Sequence, residues 1–367
     1  LALTAWALTS ESPEQLRDRA EAASRAGDWK TARSDWRSLN QTGLARGRTH
    51  LAEARACLAL DRAAEAEQAL RRSIAADPAD PEPWRLLLEL LRVEDRAEEA
   101  QALGWEGYAA VPASARRGLL RDLSLVLLAD LPEDLARSML DRWSAADPAD
   151  IDAQVARLKR IAAMPRPGDP DHDSQVETLA SLLERAPGHL AAREALVVAL
   201  VEAGELDRGR QILDAWPANA RDSALYTRLI GRWDLDYDRQ PARALASFER
   251  ALAIMPHDWK TQYRRARVLH ILGRPADARK AAEVVSRLRE HLDPATLGPR
   301  LGADLAHLDD PRALADLISL CNQVSLSRLA EAWRREASAP PANPQAETQA
   351  QGILEFPMIP AGTVRPR

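Results

Sequence analysis

The sequence predicts an all-α chain: an α-solenoid, a superhelix of stacked helical hairpins. Three observations predict it. The apolar fraction, 46% of 367 residues, is mostly Ala and Leu, which lose little side-chain entropy in a helix. Residues suited to strands are few, with two Phe and four Tyr against ten Trp. Several residue types also recur at a spacing of 34, among them Ala32, Ala66 and Ala100, Pro78 and Pro112, Trp36 and Leu70, Ala244 and Ala278, and Phe248 and Ala282.

Each unit reads as two helices. In residues 81–112, Pro81 and Pro83 suit a first turn, where a missing N–H costs nothing. Trp84, Leu87, Leu88 and Leu91 follow as one apolar stripe at helical period. Asp95-Arg96 breaks the stripe at a turn, a second helix runs through Ala97, Ala100, Gln101 and Leu103, and Pro112 closes the unit. The small residues Ala100 and Gly104 let two helices approach closely. Units fall at about 13–46, 47–80, 81–114, 115–150, 151–189, 190–224, 225–258 and 259–292. The Asp77-Pro78-Ala79-Asp80 junction recurs as Asp147-Pro148-Ala149-Asp150. The fifth unit is loosest, with Pro165, Pro167 and Pro170 around Gly168 forcing a loop, and the seventh carries an acidic insertion at 234–238.

The turn motifs resemble the tetratricopeptide repeat family, which carries a Gly-acidic-aromatic turn, an Ala three residues on, an aromatic four further and a closing Pro. Gly27-Asp28-Trp29 with Ala32 and Trp36 matches it; so do Gly273 with Ala278, Gly204-Glu205, and Ala244, Phe248, Ala251 and Pro256. Gly209 departs from it by standing where Ala is expected. The resemblance covers most of 13–292 and implies a scaffold that binds a protein or peptide along the first helices of its units, with Trp29, Trp36, Trp84 and Trp259 packing helices together.

Outside the array, 293–338 reads as capping helices, with Asp310-Pro311 opening one and Ser325 or Ser327 capping another. The Pro/Ala-rich stretch 339–367 reads as a disordered tail or linker. Residues 1–12 are an apolar lead-in, read either as the end of a signal segment or membrane anchor or as a segment packed on the first helix. Location stays open between a membrane-anchored, extracytoplasmic array and a cytoplasmic one. Cys57 and Cys321 lie within helical patterns, where Cys acts as a small buried hydrophobe.

Motifs for chemistry are absent: no Gly-x-Gly-x-x-Gly, no P-loop, no Gly-x-Ser-x-Gly, no His-Glu-x-x-His and no Cys-x-x-Cys. No catalytic, cofactor-binding or metal-ligating residue is therefore assigned, and an enzyme is not expected. The alternate aspartates Asp169, Asp171, Asp173 and Asp234, Asp236, Asp238 start like calcium loops, but Ser174 and Arg239 stand where such a loop needs Gly, and Ala180 and Leu245 where it needs Glu. They read as solvated acidic loops. The histidines His50, His172, His189, His257, His270, His291 and His307 show no ligand spacing.

The net charge of −5 gives no overall attraction to nucleic acid. Arg17, Arg48, Arg55, Arg85, Arg92, Lys260, Tyr263 and Arg267 fall on the stripe opposite the apolar one in the first helices. A groove lined by them suits an acidic or carboxylate-ended peptide through charge-assisted, forked hydrogen bonds. The expected function is a protein-interaction scaffold with a protein or peptide partner. The alternative is the repeat region of a larger polypeptide that carries a catalytic domain elsewhere.

Overall fold

The structure, a computed structural model, describes residues 12–42 and 46–338. The lead-in and the Pro/Ala-rich stretch lie outside those residues, apart from Ser12. Among the described residues there are nineteen α-helices, one short 3-10 turn and no strand.

The first three hairpins are α1 (Pro13–Ala26) with α2 (Trp29–Gln41), α3 (Gly47–Ala59) with α4 (Ala63–Ala76), and α5 (Pro81–Val93) with α6 (Ala97–Ala110). Their corners share one backbone device. Gly27, Asp61 and Asp95 each take a positive φ, of 74°, 57° and 57°, which lets the chain reverse in two residues. Glycine does so freely, and the short Asp side chain tolerates the same region. The repeated Asp-Pro-Ala-Asp junction has a local cause too. Asp77 and Asp147 accept from the backbone N–H of Ala79 and Ala149, at 3.2 and 3.0 Å. Asp80 and Asp150 then cap the helices that follow, accepting from Glu82 and Ala153 at 3.0 Å each.

After α6 the hairpin pattern is interrupted. α7 (Ala113–Leu128) packs on α6 and α5, whereas α8 (Glu133–Ala146) packs on α9 (Ile151–Ala163) and touches α5. The stretch read as the fourth unit is thus divided between two neighbourhoods. Its junction, Ala129 to Pro132, lacks a left-handed turn residue, and Ala129 and Pro132 are both extended. Close approach of α7 to α6 needs the α6 glycines. A Cβ on Gly104 would lie 2.6 Å from Leu123 Cδ1, and one on Gly107 2.9 Å from Leu119 Cδ2.

The second array continues through α10 (His172–Arg185), α11 (Leu190–Glu202) and α12 (Leu206–Asp214). It then runs through α13 (Ala224–Asp236), α14 (Pro241–Ile254), α15 (Trp259–Ile271) and α16 (Pro275–His291). Gly204, Arg239 and Gly273 supply the left-handed corners of its last three hairpins. The first helices α9, α11, α13 and α15 lie side by side and form one face.

The C-terminal helices α17 (Pro294–Ala306), α18 (Pro311–Gln323) and α19 (Ser327–Ser338) follow α16 and return to α7. Leu120, Leu123 and Leu127 of α7 share a core with Leu301, Leu317 and Trp333. Trp333 is fully buried, and its indole N–H donates to Ser124 Oγ at 3.1 Å. The chain from α7 to α19 therefore closes on itself. Trp36 and Trp84 are buried in the cores, while Trp29 and Trp259 are partly buried. Both cysteines are buried and free, and burial pushes each thiol up to about 12. Among the described residues no helix is long and apolar enough to cross a membrane.

Candidate functional site

The face formed by α9, α11, α13 and α15 carries a ladder of charges. Lys159 on α9 lies 3.6 Å from Glu194 on α11; Glu194 binds Arg228 on α13 at 2.8 Å; and Arg228 reaches Asp258, the N-cap of α15, at 3.8 Å. The corner between α5 and α6 docks against this face. Asp95 meets Lys159 at 2.7 Å, and Arg96 meets Asp152 at 3.7 Å. Glu98 accepts from the opening amides Ala224 and Leu225 of α13, at 3.1 and 3.3 Å, and so acts as a helix cap from a distant part of the chain. Gln101 donates to the Ile254 carbonyl at 3.1 Å. A cleft of about 660 Å³ remains beside the docked corner.

Glu67, Glu94 and Asp152 converge closely enough to suggest a cation cage. The cation there is Arg96, whose guanidinium lies 2.6 Å from Glu67 and 2.8 Å from Glu94. Burial works against its charge, but the surrounding carboxylates outweigh it and hold the guanidinium protonated. Burial pushes the Glu94 carboxyl well above the usual carboxylate range, with Arg96 opposing the shift. Five of the six aspartates in the two acidic triplets are likewise taken up by partners within the fold, and Asp173 is exposed. Asp169 is held by Arg137 at 2.9 Å, and Asp171 caps α10 through Ser174 N–H at 2.8 Å. The sequence at 234–238 is not an inserted loop: it completes α13 and begins the turn after it. Asp234, Asp236 and Asp238 point to three different arginines, Arg243, Arg267 and Arg210, at 3.3, 3.4 and 2.7 Å.

The residues expected to line a binding groove fall in three places. Arg85 and Arg92 border a cleft of about 430 Å³ between α5, α7 and α17. Arg85 is bound to Asp122 at 2.5 Å, and Arg92 donates to the Ala129 carbonyl at 3.0 Å, so both tie α5 to α7. Arg55 binds Glu82, while Arg17 and Arg48 are exposed on α1 and α3. Lys260, Tyr263 and Arg267 share α15, where Tyr263 is 57% exposed. Beside them are two residues that the sequence stripe did not single out, Arg232 on α13 and Arg264 on α15. Neither has a carboxylate within ion-pair distance among the described residues. Burial, and then the like charge of Arg232, depress Arg264 below the usual guanidinium value.

Residues 176–232, from α10 into α13, match the family model for the tetratricopeptide repeat. That stretch is a tetratricopeptide-repeat segment within an all-α helical-repeat chain. Several solved structures align with part of the chain. A MamA fragment from Desulfovibrio magneticus RS-1 aligns at 18% identity, covering 47% of this chain and 95% of its own, with a TM-score of 0.33. A tetratricopeptide repeat protein from Parabacteroides merdae aligns at 12% identity over 71% of this chain and 100% of its own, with a TM-score of 0.32. The anaphase-promoting complex assembly of Cut9 with Hcn1 aligns at 16% identity over 90% of this chain and 79% of its own, with a TM-score of 0.35. No curated protein matches the sequence. A tetratricopeptide-repeat segment supports a protein-interaction scaffold in general terms.

Proposed function

We propose that this scaffold holds an acidic segment of a partner protein on the first-helix face at α13 and α15. One observation carries the reading: Arg232 and Arg264 lie near each other, partly buried, and neither makes an ion pair among the described residues, Asp258 and Asp236 acting on Arg264 only from beyond contact distance. Two like charges held together repel, and an anion between them relieves the repulsion. Exposed Lys260 extends the positive surface along α15, beside Arg267, which is paired with Asp236. Tyr263 and Ile271, 57% and 52% exposed, add apolar contact to it. A guanidinium binds carboxylate through two parallel hydrogen bonds, which favours an acidic peptide that can reach both arginines. The reading requires no catalytic group.

The test is fluorescence anisotropy with a labelled oligoglutamate peptide. The double substitution Arg232→Gln with Arg264→Gln is expected to weaken binding at this face at least tenfold. Tyr263→Ala is expected to cost less, because it removes apolar contact and leaves both guanidinium pairings in place. Raised salt weakens the complex, as for any exposed charge pairing. A single-stranded RNA oligomer that binds this face as well as the peptide does would overturn the assignment of an acidic protein partner.

A further inference from the structure

A second basic cleft lies away from that face, where α6, the N-terminus of α7 and α19 meet. Its volume is about 810 Å³, within the range of ligand-binding clefts. Trp105 and Tyr108 on α6 form its floor, with ring centroids 6.0 Å apart and planes nearly perpendicular. Each ring carries a guanidinium: Arg328 from α19 sits 4.1 Å from the Trp105 centroid, and Arg116 from α7 sits 5.5 Å from that of Tyr108.

The arginines here divide into two kinds. Arg117 donates to the Glu336 carbonyl at 2.9 Å, and Arg335 lies 3.4 Å from Glu331. Glu336 in turn accepts from the Tyr108 hydroxyl at 2.9 Å. The Arg117 and Tyr108 bonds join α19 to α7 and α6, while the Arg335–Glu331 pair lies within α19. Arg116 and Arg328 have no carboxylate partner among the described residues, and Arg116 Nε is buried without an acceptor. Buried donors are normally paired, so an orphaned guanidinium nitrogen marks a position for an acceptor. The adjoining end of α7 adds further donors, because Pro112 supplies no side-chain cap for the first amides of that helix.

We propose that this cleft is a second binding site for an acidic segment of a partner protein, with Arg116 and Arg328 each receiving a carboxylate. The two cations rest over different rings rather than converging on one point. That arrangement suits successive side chains of an extended peptide, which advances about 3.4 Å per residue, better than a single phosphate. A guanidinium held over a ring can still donate two parallel hydrogen bonds to a carboxylate. The cleft also joins α19 to the consecutive helices α6 and α7, so a segment bound in it bridges α7 and α19. This site does not depend on the α13–α15 face.

Calorimetric titration of the whole chain with hexaglutamate tests the proposal. Two equivalents are expected to bind. Arg116→Gln with Arg328→Gln removes one of them or weakens it at least tenfold, and leaves the equivalent that Arg232→Gln with Arg264→Gln removes. If the Arg116/Arg328 variant titrates like the parent, the cleft proposal is wrong, whatever the other variant does. Pyrophosphate that displaces the peptide from this cleft more effectively than free glutamate peptide would assign the site to phosphate and overturn the peptide reading. Hydrogen exchange gives an independent measurement on the unaltered chain: the amides of Ala113 and Ser114 are expected to slow when peptide is present, and unchanged rates count against the site. Should the double variant fold poorly, exposed Arg328→Gln alone is read in the same titration.

Discussion

At the residue scale, the left-handed corners explain why the turn signal was only partly readable. Gly27, Gly204 and Gly273 announce such a conformation in sequence, whereas Asp61, Asp95 and Arg239 adopt it without glycine. Their common position emerges from the 34-residue register in the first three hairpins. Charged residues were harder to place, because Arg85 and Arg92 occupy the expected stripe yet bind groups on or just beyond α7. A stripe shows which residues share a helix face, but not which helix covers it. His257 gives a prediction at this scale. Burial depresses its imidazole from 6.5 to about 4, with Asp258 opposing the shift, and its Nδ1 has no hydrogen-bond partner. The folded chain therefore binds fewer protons here than the unfolded chain between those two values. This contribution to stability falls as pH drops below 6.5 and is fully lost near 4. Relative to His257→Leu, the parent is expected to lose about 2 kcal/mol between pH 7 and 5. Urea denaturation at both pH values measures it, and equal losses in the two chains would contradict the assignment.

At the element scale, α7 decides how the molecule is put together. Its sequence reads as an ordinary first helix, and no residue in it announces that its Leu-rich side will be covered by α17, α18 and α19. What marks the departure is a missing signal, the lack of a reversing residue between Ala129 and Pro132. The glycines on α6 were legible as sites of close approach, although the element that approaches was not. The joint between α7 and α19 centres on Trp333 and Ser124. Trp333→Ala removes a fully buried indole and is expected to cost about 3–5 kcal/mol. Thermal unfolding measures the loss. Limited proteolysis is expected to cut first within α19, and first cleavage in α1 instead would show that this joint is not the weak point of the variant.

At the scale of the whole molecule, the all-α superhelical class follows from composition and period, since both belong to the local chain. The contacts between the two arrays do not, because they pair residues far apart in sequence. Glu98 capping α13 and Arg96 joining Glu67 to Asp152 have no local signature. The Arg–aromatic cleft is another example, because Trp105 and Arg328 meet only through the return of α19. That return also changes how the chain comes apart. An open stack of repeats touches only its neighbours, so it can fray from one end and propagate repeat by repeat. Here the core shared by α7 and the last three helices links residues 120 and 333, and no end of that circuit is free to peel. Joining such distant segments also makes folding slower than in a stack of purely local contacts. Native-state hydrogen exchange is expected to show α7 and α17–α19 opening together as one cooperative unit, while α1 and α2, outside the circuit, open at lower free energy. Independent opening of α19 would contradict this. Closure is thus expected to give everything from α7 to α19 one global transition, where an open stack would come apart piece by piece.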